Sequence, residues 1–98
     1  MKPINDNDKR RGWILRVLAK VYPDPLDQDT VKKYLIDVGF LTGETDLRQD
    51  IAFLAEQELI KAERIGASVI SRAVVRLTYK GKNLVDGNTP DVAGVDVG

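Results

Sequence analysis

Between Asp6 and Gly87 the apolar residues recur with two different periods, and the change from one to the other divides the chain. Ile14, Val17, Leu18 and Val21 follow helical spacing, with Asp6 or Asp8 placed to cap a first helix that runs to about Val21 before Pro23 and Pro25 end it. Leu26 leads into Asp27-Gln28-Asp29, where Asp27 or Asp29 caps a second helix with Val31, Tyr34, Leu35 and Val38 on one face. Gly39 closes that helix. Phe40-Leu41-Thr42-Gly43 connects it to a third, which starts at Thr45 or Asp46, turns Leu47, Ile51 and Leu54 inward and ends at Leu59-Ile60. Two short helices joined by a glycine-containing turn are the helix-turn-helix signature.

From Ile60 the period moves toward two. Gly66-Ala67-Ser68 marks a hairpin turn, and Val69-Ile70 followed by Val74-Val75-Arg76-Leu77-Thr78 reads as the return strand. Thr78 stops the strand and caps a short final helix, since its hydroxyl can accept a backbone N–H that otherwise lacks a partner; Gly81 and Lys82 fall in that helix's first turns. The expected fold is α+β and mainly helical: a winged helix-turn-helix of three helices, a β-hairpin wing and a short C-terminal helix. It occupies residues 1–86. Residues 87–98 have no aromatic and no helical period and include Pro90, so a flexible tail is expected there.

The inventory narrows the chemistry. Ninety-eight residues make one small domain with a single core. There is no cysteine and no histidine, which excludes a disulfide framework, a thiolate nucleophile, a Cys/His zinc site and an imidazole base. Asp24, Asp27 and Asp29 lack the glycine and distal glutamate of a calcium loop, and Gly66-Ala67-Ser68 lacks the further glycine and lysine of a phosphate loop. No catalytic constellation is visible, so neither an enzyme nor a cofactor is expected. Apolar runs are too short for a membrane span and the N-terminal residues lack a signal-peptide core, which leads to the expectation of a soluble, cytoplasmic protein.

Fifteen basic and fifteen acidic residues cancel, but unevenly. Residues 1–21 carry six Lys/Arg against Asp6 and Asp8, a net +4, whereas residues 22–60 carry Lys32, Lys33 and Arg48 against nine carboxylates, a net −6. Residues 61–82 carry six bases against Glu63 alone, a net +5, and residues 83–98 add three aspartates. Phosphate binding depends on local clusters of Lys and Arg, so the first helix and the hairpin are the candidate electrostatic footprints.

The run Leu47-Arg48-Gln49-Asp50-Ile51-Ala52-Phe53-Leu54-Ala55-Glu56-Gln57-Glu58-Leu59-Ile60, then Leu77-Thr78-Tyr79-Lys80-Gly81 and a short Val-Ala-Gly-Val tail, resembles a family of small winged-helix proteins of Mu-like bacteriophages and prophages, often labelled ArsR-type regulators. The resemblance covers roughly residues 8 to 95. It implies a bacterial host carrying a phage or prophage, and regulation of transcription. Ser71-Arg72-Ala73 lengthens the hairpin relative to that family. A second departure is Glu58, where such helices end in glycine before the Leu-Ile step; a side chain in the left-handed conformation costs roughly 1 kcal/mol, so Glu58 is either strained or not a true helix cap.

With Leu47, Ile51 and Leu54 inward, a turn of about 100° per residue puts Gln49, Ala52, Phe53 and Glu56 on the opposite side, with Arg48 and Asp50 at the flanks. Arg48 and Gln49 can donate to base edges and Ala52 can touch a thymine methyl, the alternative being a purely structural helix. Lys61, Arg64, Arg72, Arg76, Lys80 and Lys82 are expected along one edge of the wing, facing phosphates or a minor groove, or simply water. Lys9, Arg10, Arg11 and Arg16 of the first helix read equally well as a solvated face. Trp13 either completes the core or anchors a homodimer seam, and Phe53 is the candidate docking residue for a partner protein. Two functions follow: a DNA-binding regulator on double-stranded DNA, or a protein-interaction module serving phage assembly or host takeover through a phage or host partner.

Overall fold

The computed structural model describes residues 6–66 and 72–98. Its elements run α1 (Asp6–Val21), β1 (Leu26–Asp27), α2 (Gln28–Asp37), α3 (Glu44–Glu56), β2 (Ile60–Ile65), β3 (Arg72–Leu77) and α4 (Tyr79–Val85). The four helices and the hairpin appear in the expected order, except that α3 ends at Glu56, ahead of the expected Leu59-Ile60, and Ile60 already opens β2. Ala67–Ser71, and with them the expected turn residues Ala67 and Ser68 and the strand residues Val69 and Ile70, lie outside the described residues. No described helix is long and apolar enough to cross a membrane.

α1 is central. Ile14, Leu15 and Leu18 are fully buried between Val31 and Leu35 of α2, Leu47, Ile51 and Leu54 of α3, and Val75, Leu77 and Leu84. Val21 is half-buried and Val38 is 39% exposed, because the latter is already the C-cap of α2 and has left the helix's inner face.

β3 is the middle strand of a three-stranded antiparallel sheet in the order β1-β3-β2. The strand at Leu26–Asp27 pairs with Val75 and Val74; two residues are too few to show an alternation in sequence. In the hairpin Lys61 faces Arg76, Ala62 faces Val75, Glu63 faces Val74 and Arg64 faces Ala73. Alternation along a strand therefore puts Ile60, Ala62, Val75 and Leu77 on the inner face and Lys61, Glu63, Arg72 and Arg76 on the outer one.

Three helices end in one motif. After α2, Gly39 N–H reaches the Ile36 carbonyl at 3.1 Å and Phe40 N–H reaches Leu35 at 2.9 Å. After α4, Gly87 and Asn88 bond Leu84 and Asn83 in the same way. After α3, Glu58 N–H reaches Ala55 at 2.9 Å and Leu59 N–H reaches Leu54 at 3.0 Å. This is the Schellman arrangement, which needs a left-handed residue after the cap. Gly39 and Gly87 meet that need at φ +106° and +79°, whereas Glu58 meets it at φ +62° with a side chain. The alternative raised by the sequence is resolved: Glu58 is a true helix terminator under strain.

α4 starts as the sequence indicates. Thr78 Oγ1 accepts the Gly81 N–H at 3.0 Å and donates to the Glu58 carbonyl at 2.7 Å. Thr78 N–H also bonds the Leu59 carbonyl at 3.1 Å. Gly81 lies so close to this junction that a Cβ on it would sit 2.2 Å from the Leu59 carbonyl oxygen.

The segment after α4, expected as a flexible tail, packs back across α1. Val95 is 9% exposed, and Val92 and Val97 pack against the core. Asp96 N–H bonds the Asp8 carbonyl at 3.0 Å, and Arg11 donates to the Gly94 carbonyl at 3.2 Å. The valines keep no single period, since a strap that turns between Val92 and Val95 needs only a receiving surface. Gly12 supplies it: a Cβ there would fall 1.6 Å from the Asp96 carbonyl oxygen.

Replacing Glu58 with Gly is expected to raise stability by about 1 kcal/mol, measured as an increased midpoint in thermal or urea unfolding, because it relieves the left-handed strain; an unchanged or lower midpoint contradicts this. Gly12→Ala is expected to displace the segment around Asp96 while keeping the core, read as faster hydrogen exchange of the Asp96 amide against unchanged exchange at Leu15 and Leu18.

Candidate nucleic-acid interface

The placement of α3 is set by charge as well as by apolar packing. Asp50, expected at a flank of the helix, is 1% exposed and receives Arg10 Nε on one carboxylate oxygen and Arg11 Nε on the other, the latter at 3.0 Å. Arg10 is itself 8% exposed and also donates to Asn7 Oδ1 at 2.8 Å. Two arginines of the basic α1 therefore hold α3 from within and are not a wet face. The hydrogen bond to Asp50 and its negative charge raise the Arg10 pKa above its ordinary value, outweighing the opposing effect of burial.

Phe53 is also displaced from its expected exposed position. It is half-buried under the Arg11 guanidinium, 4.0 Å from the ring centroid, and against Gly94, where a Cβ would come within 2.7 Å of its ring. A covered ring is a poor docking residue. Trp13 packs at the core edge, 6.1 Å from the Tyr34 ring and beneath the Arg16 guanidinium.

What α3 leaves exposed is Glu44, Thr45, Arg48, Gln49, Ala52 and Glu56. Arg48, Gln49 and Ala52 share this face as their spacing requires. Its N-terminal half opens on a groove whose walls are Asp27, Gln28 and Asp29 at the start of α2, Glu44, Leu47 and Arg48 of α3, and Ala62, Glu63, Arg64, Arg72 and Ala73 of the hairpin. Arg48, Arg64 and Arg72 thus reach one groove from α3 and from both strands of the hairpin. Four carboxylates line it too. Glu44 is engaged by Lys32 Nζ at 2.9 Å, and that hydrogen bond, more than the accompanying charge, lowers its pKa from the ordinary carboxylate value.

The remaining bases do not form one edge. Lys61, Arg72 and Arg76 lie on the outer face of the hairpin, each within ion-pair distance of a carboxylate: Lys61 Nζ 3.8 Å and Arg76 Nε 3.5 Å from Glu63 Oε1, and Arg72 Nη1 3.5 Å from Asp27 Oδ2. Arg64 belongs to the opposite face. Lys80 Nζ donates to the Gln57 carbonyl at 3.0 Å and so caps the end of α3, and Lys82 pairs with Asp86 at 2.6 Å within α4. These two stand apart from the groove's lining. Glu63 and Asp27 are the site residues that a reading of the bases alone misses; Glu63 had a visible signal as the one acid among the bases of residues 61–82. No group of three or more His, Cys, Asp or Glu able to hold a metal ion occurs among the described residues.

The sequence matches no protein-family model and no curated protein. Solved structures do match. A PadR-family transcriptional regulator from Eggerthella lenta superimposes with a TM-score of 0.60 at 22% identity, over 80% of this chain and 70% of that one. A point mutant of MepR from a multidrug-resistant S. aureus clinical isolate gives 0.64 at 23% identity, and Bacillus subtilis PadR in complex with operator DNA gives 0.58 at 13%. Each of these two covers 85% of this chain, which spans 56% of the MepR chain and 51% of the B. subtilis PadR chain. The fold is a winged helix. In its terms α2 and α3 are the helix-turn-helix pair, the hairpin β2–β3 is the wing, and the groove lies between the second helix of the pair and the wing.

Removing the carboxylate at Asp50 leaves two arginines facing each other in the interior. Asp50→Ala is expected to lower stability by about 3–5 kcal/mol, measured by urea unfolding. A loss below about 1 kcal/mol would show that α3 does not depend on this ion network.

Proposed function

We propose that this chain is a transcriptional regulator that binds double-stranded DNA, with α3 at the major groove and the wing against the phosphate backbone. The observation that carries this reading is the convergence of Arg48 on α3 with Arg64 and Arg72 on the wing in one groove, beside an exposed Gln49 and Ala52. Arg48 and Gln49 are the donors suited to guanine and adenine edges, Ala52 is the apolar contact for a thymine methyl, and Arg64 and Arg72 are the phosphate contacts. One of the winged-helix neighbours is named as a transcriptional regulator, and another was solved with operator DNA. Lys80 and Lys82 are peripheral in this reading, since α3 and α4 already use them. A bacterial host with a Mu-like phage or prophage rests on the sequence resemblance; a cytoplasmic setting, drawn from the short apolar runs, and a homodimer in which Trp13 takes part, drawn from the use of tryptophan as an interface anchor, complete the proposal.

A second reading has its own observation. Ile36, Val38 and Leu41 are large apolar residues left 46%, 39% and 94% exposed around the end of α2 and the turn that follows. In a protein-interaction module without DNA binding this surface, and not Phe53, would meet a phage or host protein. Salt separates the two: phosphate binding falls steeply with ionic strength, an apolar contact does not.

Fluorescence anisotropy with random and phage-derived duplexes at low and physiological salt tests the proposal. Arg64→Ala with Arg72→Ala is expected to weaken binding to all sequences and to flatten the salt dependence by about two phosphate contacts. Arg48→Ala with Gln49→Ala is expected to change sequence preference, by about 1–3 kcal/mol at the affected base pair. Absence of binding by the unaltered chain at low salt rejects the DNA reading.

A further inference from the structure

The outer face of the sheet carries Lys61, Arg72 and Arg76 of the wing, Glu63 of the wing and Asp27 of β1 around a buried valine. Val74 is 2% exposed and is flanked across the ladder by Glu63 and by Asp27. Lys61 and Arg76 face each other in register, so two like charges are held together on one face of the sheet. Like charges directly opposite each other are unfavourable unless a counter-charge sits between them. Glu63 Oε1 is that counter-charge, 3.8 Å from Lys61 Nζ and 3.5 Å from Arg76 Nε. The contact is electrostatic without directional bonding, since Arg76 Nε is buried and makes no hydrogen bond. The guanidinium therefore has donor capacity that its carboxylate partner does not satisfy.

Two facing cations, one with an unsatisfied donor, around a single oxyanion have the composition of a phosphodiester site. We propose that Lys61 and Arg76 form a backbone-phosphate site on the outer face of the wing, and that Glu63 occupies it as an internal counter-ion that holds down sequence-independent binding. The inference rests on the DNA-binding reading. A phosphate entering the site replaces the carboxylate and supplies the missing hydrogen bond to Arg76. Because the carboxylate must first be displaced, the site contributes little to a weak encounter with arbitrary DNA and more once α3 has seated the wing against the backbone. Glu63 is thus a specificity-determining residue that acts by disfavouring the wrong complexes. It also gives a physical role to the one acid in the most basic stretch of the chain.

Glu63→Gln keeps the shape of the side chain, which is partly exposed, and removes its charge. Circular dichroism and thermal unfolding establish that the variant folds. Anisotropy titration against a random-sequence duplex at low and physiological salt is then compared with the unaltered chain and with Asp37→Asn, which makes the same charge change on α2. The expected result is that Glu63→Gln tightens random-sequence binding about three- to tenfold at low salt and steepens the salt dependence by about one phosphate contact, whereas Asp37→Asn changes it less than about twofold. Adding Arg76→Ala or Lys61→Ala to Glu63→Gln is expected to abolish the gain. Equal gains for Glu63→Gln and Asp37→Asn overturn the proposal, because net charge alone then accounts for the effect. So does a Glu63→Gln affinity equal to that of an unaltered chain that binds DNA, an outcome that leaves the DNA reading in place. If neither the unaltered chain nor Glu63→Gln binds at low salt, the DNA reading fails and this proposal fails with it.

Discussion

The buried carboxylate of Asp50 is the constraint on which the arrangement of this small protein depends. A charge with 1% exposure is tolerable only when paired and hydrogen-bonded, and Asp50 draws both partners from adjacent positions of α1, Arg10 and Arg11. Apolar packing between helices tolerates rotation of one against the other; two directional charged hydrogen bonds to the same carboxylate do not. The turn of α3 about its own axis is thereby set, and with it the exposure of Arg48, Gln49 and Ala52. Arg11 extends the restraint outward by lying on Phe53 and donating to the Gly94 carbonyl, so the C-terminal segment, α1 and α3 share one side chain.

A second theme is how little of the wing's positive charge is unbalanced. The sequence shows a basic stretch, while the structure returns acids to it from nearby and from afar: Glu63 from the same hairpin and Asp27 from a two-residue strand that precedes α2. The wing is accordingly a mixed-charge surface, and under the proposed function its affinity for a polyanion would depend on how readily those acids can be displaced, not on the number of bases it carries. A net charge of zero is then compatible with a nucleic-acid partner, because the internal pairs determine which contacts become available.

Most of the fold is legible in the sequence, for physical reasons that can be named. Ile14, Leu18, Val31, Leu35, Leu47, Ile51 and Leu54 lie at helical spacing, and all are buried. Thr78 caps α4 because a threonine just ahead of a helix can turn its hydroxyl oxygen onto a first-turn N–H that has no partner within the helix. What the sequence hides is what depends on distant partners. Asp50 looks like a flanking surface acid because its arginines are about forty positions away, and Arg10 and Arg11 look solvated for the same reason. Phe53 falls on the exposed side of a helical wheel because the wheel omits the C-terminal segment. That segment reads as a tail because Val92, Val95 and Val97 carry no period of their own and fit a surface created by the absence of a side chain at Gly12. In the candidate interface, helical spacing places Arg48, Gln49 and Ala52 together, but only strand register separates Arg64 from Lys61 and Arg76.

The meeting of α3 with α4 has an electrical side. A helix ordinarily ends in unpaired carbonyls that together carry about half a negative charge, which would repel a polyanion lying along it. At the end of α3 the Leu54, Ala55, Gln57 and Glu58 carbonyls have donors, from Leu59, Glu58, Lys80 and Thr78, and one of these donors is a full cation. The negative pole of the helix is shielded at its source. A strand of nucleic acid passing along α3 would meet no bare negative pole at the finish of the helix, while Glu44 and Asp46 in the first turn temper the positive pole at its start, so both ends of the helix are electrically muted and its side chains dominate the surface.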